Sequence, residues 1–165
     1  MREYLGPDVQ VEELRKLDVA GILGLSGYRI VVEAPTASND DAKKDATVKG
    51  AVKDMNAKLK NGVRLSGSRA PCYAELVAAN IFYNKAMMYG SNLFAGWTFR
   101  DFGRTGAGAP KVFAGSVKNP LEDFPPKTAE KVSAAKGEIR DAYAKDVVEY
   151  VQKKVRGATS TVAMR

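Results

Sequence analysis

The sequence contains no histidine and a single cysteine, Cys72. Histidine is the side chain whose ordinary pKa suits proton transfer near neutrality, and it is the commonest metal ligand. Without it the Ser-His-Asp and Cys-His nucleophile systems are excluded, as is any zinc site that needs imidazole. One cysteine cannot close an internal disulfide or supply a four-thiolate cluster. Long hydrophobic runs are also missing. The longest apolar stretch, Pro71 to Thr98, is interrupted by Glu75, Asn80, Asn84, Lys85 and Asn92. Polar side chains at those depths are costly in a bilayer, so no membrane span is expected. The N-terminal Met1-Arg2-Glu3-Tyr4-Leu5 lacks the apolar core of a secretory signal. Together with a lone cysteine, this points to an intracellular protein.

What is present is a basic chain of ordinary globular composition. At 165 residues, 45% hydrophobic and 27% charged, it is long enough to bury a core as a single domain over 1–165 without disulfides or metals. The net charge is +7, which favours acidic partners such as nucleic acid, anionic lipid or an acidic protein face. The excess is not in one motif. Residues 39–70 carry eight basic and four acidic side chains, and residues 127–165 carry nine and five.

Glu12 and Glu13 followed by Arg15 and Lys16 suit the dipole of a short helix over 9–17. Tyr28-Arg29-Ile30-Val31-Val32-Glu33 is β-branched and ends at Ala34-Pro35, which predicts a strand at 28–33. Its pairing partner is 111–114 or 62–65. Val48, Val52, Met55 and Leu59 recur at helical spacing and predict an amphipathic surface helix over 40–60, with Asn61-Gly62 as the stop. Pro71 and Gly90 bracket an Ala-rich stretch whose polar residues are scattered around a helical wheel, which predicts a buried central helix over 72–89. Residues 91–126 are rich in glycine and proline and weakly periodic, which predicts a long irregular segment. Val132, Ile139, Tyr143, Val147 and Val151 mark a long C-terminal helix over 127–156, with 158–165 as a tail. The expected fold is therefore mainly α with a minor β element, α+β being the alternative.

No catalytic constellation is assembled by these residues, and no cofactor or metal is expected. Cys72 at a predicted helix start is a thiol or prosthetic-group attachment point by one reading, and a small buried side chain by the other. Gly103-Arg104-Thr105-Gly106-Ala107-Gly108-Ala109-Pro110-Lys111 resembles a phosphate loop superficially. The Walker pattern fails, because proline precedes Lys111 and Val112 follows it. Phe94, Trp97, Phe99, Arg100, Phe102 and Arg104 interleave aromatics with arginine. Such a run either stacks nucleic-acid bases, anchors a protein interface or covers a core. The pairs Lys43-Lys44 and Lys153-Lys154, and Glu138 with Asp141 among Lys136, Arg140 and Lys145, read as solvated helix faces.

The leading expectation is a non-enzymatic subunit of a multi-protein assembly, homo- or hetero-oligomeric. It would contact acidic partners through Phe94, Trp97, Phe99, Arg100, Phe102, Arg104 and Lys111. The alternative is a nucleic-acid-binding or ribonucleoprotein component.

Overall fold

The computed structural model describes residues 1–36, 39–86, 90–103 and 108–157. Along these, the elements run α1 (Arg2–Leu5), α2 (Pro7–Lys16), α3 (Val19–Leu23), α4 (Asn39–Ala42), α5 (Ala46–Lys60), β1 (Ala74–Ala86), β2 (Gly90–Asp101), β3 (Lys111–Leu121) and α6 (Val132–Tyr150). A 3₁₀ turn, Ala129–Lys131, precedes α6, and a π-helical segment, Val151–Arg156, continues it. The strands form an antiparallel meander in the order β1-β2-β3. The helix α6 crosses one face of β2 and β3, and α1 and α2 lie against α6.

The core is the seam between that helix and the sheet. Leu93, Ala95, Trp97 and Phe99 alternate along β2 toward it and meet Ile139, Tyr143, Val147, Tyr150 and Val151. Trp97 is 1% exposed. Its ring centroid lies 5.3 Å from that of Tyr143 and 6.4 Å from that of Tyr150. Gly115, directly across from Trp97 on β3, leaves room for the methylene stem of Lys154; a Cβ there would lie 2.8 Å from its Cγ. The Tyr150 hydroxyl accepts the Phe99 N–H at 2.8 Å and donates to the Phe113 carbonyl, tying the helix to two strands. Glu138 accepts the amides of Glu122, Asp123 (2.9 Å) and Phe124 (2.9 Å), so it caps the β3–α6 connection and is not a merely solvated charge.

Among the described residues the fold is balanced α+β, with 45% helix and 24% strand, and not mainly α. Three expectations change. The buried helix expected over 72–89 is instead, over 74–86, the edge strand β1; residues 87–89 lie outside the described residues. Leu76 and Ala78 face the core, then a bulge at 79 resets the phase so that Ile81 and Tyr83 face it too. The bulge interrupts the two-residue alternation that marks a strand, and abundant alanine imitates a helix. The irregular segment expected over 91–126 instead holds, among the described residues, nearly all of β2 and all of β3; residues 104–107 lie outside the described residues. The outward positions of β2 include Phe94 and Gly96, which blur its polar–apolar alternation, and β3 carries Gly115 and Pro120, which an edge strand tolerates. No strand forms at 28–33, where Ile30 and Val31 are 45% and 61% exposed. The segment 111–114 pairs with β2 instead, and 62–65 packs beside Arg100.

The helix expected over 40–60 is divided into α4 and α5 by Asp45, whose carboxylate caps α5 by accepting the Thr47 and Val48 amides. Its apolar stripe is only half buried, and α5 has no fully buried residue. The helix expected over 127–156 begins only at Val132, after the 3₁₀ turn, and packs on the sheet, with Val151 and Val155 still buried in the π-helical end. Residues 158–165 lie outside the described residues.

Candidate interaction surface

Alternation on β2 places Asn92, Phe94, Gly96, Thr98 and Arg100 on the face away from α6. Register then builds rows of three across the sheet. The row Glu75–Arg100–Val112 is followed by Val77–Thr98–Ala114, Asn80–Gly96–Ser116, Phe82–Phe94–Lys118 and Asn84–Asn92–Pro120. Asn80, Phe82, Val112, Ala114, Ser116 and Lys118 are all exposed, so most of this face is open to solvent. Phe82 is 50% and Val112 56% exposed. The Phe82 and Phe94 rings stack, with centroids 5.1 Å apart and planes within 1°.

One end of the face is closed by the segment 62–73. The buried Arg100 guanidinium donates to Glu75 Oε2 at 2.7 Å and to the Val63 carbonyl at 2.8 Å. Glu75 Oε1 accepts from the Leu65 amide and the Tyr73 hydroxyl, at 2.6 and 2.7 Å. Burial raises the Tyr73 pKa above its usual value. Phe102 packs edge-on to Tyr73 at 5.4 Å, and the Arg64 guanidinium lies 4.4 Å above the Tyr73 ring. Arginine and carboxylate thus neutralise each other here, and the aromatic rings exclude water from them.

The residues expected to bind a partner are split by this geometry. Trp97 and Phe99 face α6 and are core. Arg100 and Phe102 are 1% and 7% exposed and hold the 62–73 segment in place. An interface anchor must be reachable by the partner, and none of these four is. Phe94 lies on the open face, Lys111 is exposed at the start of β3, and Arg104 lies outside the described residues. Cys72 is exposed in the turn before β1, not enclosed in a helix. Sequence reasoning missed Phe82, Val112 and Ser116. The run Ile81-Phe82-Tyr83 with Val77 upstream was the available strand signal, hidden by the bulge.

Beneath the sheet, Asp146 is fully buried. Loss of hydration pushes its pKa up to about 7, against the opposing effect of the Asn119 amide, which donates to it at 2.7 Å. A shifted carboxyl of this kind is a signal for catalysis only where substrate can touch it, and this one is enclosed. Among the described residues no group of three or more Cys, Asp or Glu is placed to hold a metal ion, and no helix is long and apolar enough to cross a membrane. No protein-family model, curated protein or solved structure matches the chain.

Proposed function

We propose that the protein is a non-enzymatic interaction subunit of a multi-protein assembly, and that the open face of its sheet is the contact surface. The observation that carries this reading is the one-sided layering. Helix α6 covers one face of the meander, and beyond the end closed by 62–73 the other presents a stacked phenylalanine pair and a valine to water. Antiparallel sheets tolerate one solvated face, but that face is ordinarily polar. Apolar side chains grouped on an exposed face mark interaction sites. Depletion of charge is the further mark of an interface centre; only the Arg100–Glu75 pair and Lys118 carry charge in the five rows. The basic stretches 39–70 and 127–165 lie outside these rows and suit acidic neighbours in the same assembly. Phe82→Arg should abolish co-purification of partner subunits from the native source without changing the circular dichroism. A wild-type chain that purifies from its source alone, with no associated chain, overturns the reading.

A second reading has an observation of its own. The helix α5 buries no residue and exposes Lys49, Lys53, Lys58 and Lys60, as a phosphate-contacting helix does. Nucleic-acid affinity through it would fall steeply with salt. Absence of binding to single-stranded RNA at low ionic strength removes it.

A further inference from the structure

We infer that the open sheet face pairs with the same face of a second copy of this chain, in a two-fold, face-to-face sheet packing. The inference rests on the proposed interaction role of this face and names its occupant. Four features of the face favour a like partner.

Charge comes first. Two copies each carrying +7 repel over most of their surfaces. On the open face Glu75 and Arg100 neutralise each other, and Lys118 is the one further charge in the five rows. This is the surface on which like-charged copies meet at least cost. The same scarcity of cations argues against nucleic acid as its occupant, because phosphate binding needs several lysines or arginines along the track.

Relief comes second. The row Phe82–Phe94–Lys118 is a ridge of large side chains. The adjoining rows, Asn80–Gly96–Ser116 and Val77–Thr98–Ala114, hold small or short ones and form a shallow trough. A two-fold axis passing between ridge and trough seats each ridge in the other copy's trough, which is the self-complementarity an isologous interface requires.

Twist is the third feature. Face-to-face sheets pack at about 10 Å separation with strands roughly 30° apart, an angle that follows from the twist of the two sheets. A second copy supplies the matching twist automatically.

The fourth is area. Strands about 4.8 Å apart and rows about 7 Å apart make a face of roughly 400 Å². Two copies then bury about 800 Å², below the standard-size range and within that of weak, transient contacts. The expected dimer is accordingly weak, with a Kd on the order of micromolar.

Sedimentation equilibrium of the full chain, from about 1 to 100 µM across that Kd range, tests the pairing. The expected result is a concentration-dependent monomer–dimer equilibrium that Phe82→Lys and Ser116→Lys each weaken at least about tenfold. Val31→Lys, exposed and outside the five rows, leaves it unchanged. Ser116 is exposed on an edge strand, so its variant keeps the test valid should Phe82→Lys fold poorly. Raising salt from about 0.05 to 0.5 M should strengthen the dimer or leave it unaltered, because screening relieves the repulsion between copies. A wild-type monomer throughout overturns the inference, as does a dimer that survives both sheet variants or dissolves in salt. A chain that stays monomeric while a single-stranded oligouridine protects Phe82 also overturns it, in favour of a nucleic-acid occupant. If the wild type is monomeric but Phe82→Lys loses partners from the native source, the pairing falls and the assembly role stands.

Discussion

Two buried polar residues in the helix–sheet seam set stability in opposite ways. The Tyr150 hydroxyl serves a donor and an acceptor on neighbouring strands. Tyr150→Phe leaves the Phe99 N–H and the Phe113 carbonyl without it, and should cost about 2 kcal/mol in urea unfolding. An unchanged midpoint and slope would show that the strands close the gap themselves. Asp146 acts against the fold at high pH. Its carboxyl keeps its proton in the folded chain up to about pH 7, whereas the ordinary value is 3.8. The folded state therefore holds more protons than the unfolded one between these values, and stability declines as pH rises through that window. Asp146→Asn should abolish the decline, matching wild type near pH ~4 and exceeding it by on the order of 2 kcal/mol near pH ~8. Wild-type stability that is level across this range contradicts the account. Neither role was legible beforehand. A tyrosine at 150 and an aspartate at 146 on a predicted helix give no sign of which strand atoms will face them.

The elements differ in how much they depend on distant residues. The segment 62–73 has no regular structure of its own and is held at the end of the sheet by Arg100, Glu75 and Tyr73. Arg100→Met leaves the Glu75 carboxylate buried beside an apolar chain, and should cost about 3–5 kcal/mol. Adding Glu75→Gln removes the stranded charge while retaining an acceptor for Leu65 and Tyr73. The double variant should recover much of the loss in guanidinium unfolding; equal losses in single and double variants would refute the ion-pair explanation. Helices α2 and α5 and the helix before Gly157 were readable because dipole-matched charges and 3.6-residue spacing are local signals, although the break that Asp45 makes ahead of α5 was not read. The strands were not. The bulge at 79 splits the alternation of β1, and the outward side of β2 carries Phe94 and Gly96 where polar residues would have marked a strand. Conversely, Ile30-Val31-Val32 has strand propensity but lacks a partner ladder, and propensity alone does not hold an extended segment in a sheet.

At the scale of the whole molecule, the aromatics and arginine of the run that lie on β2, Phe94, Trp97, Phe99 and Arg100, are divided by the two faces of that strand. Trp97 is a core residue, so Trp97→Ala should destabilise the entire fold by about 3–5 kcal/mol, lowering cooperativity or melting temperature in calorimetry. Phe82→Ala, from the half-exposed ridge, should leave melting nearly unchanged while weakening association. The reverse pattern would relocate the interface to the Trp97 region. Histidine and cysteine content excluded whole classes of chemistry without any structure, since absent side chains cannot be supplied by folding. Charge, composition and length likewise defined a basic chain able to bury a single core. Helix positions followed where the signal lay within a few neighbouring residues. Which side of β2 each aromatic occupies depended on the register with β1 and β3, on the bulge, and on α6 covering one face only. Those contacts join the aromatics of β2 to residues 12 to 51 positions away, and the pattern of any single segment does not contain them.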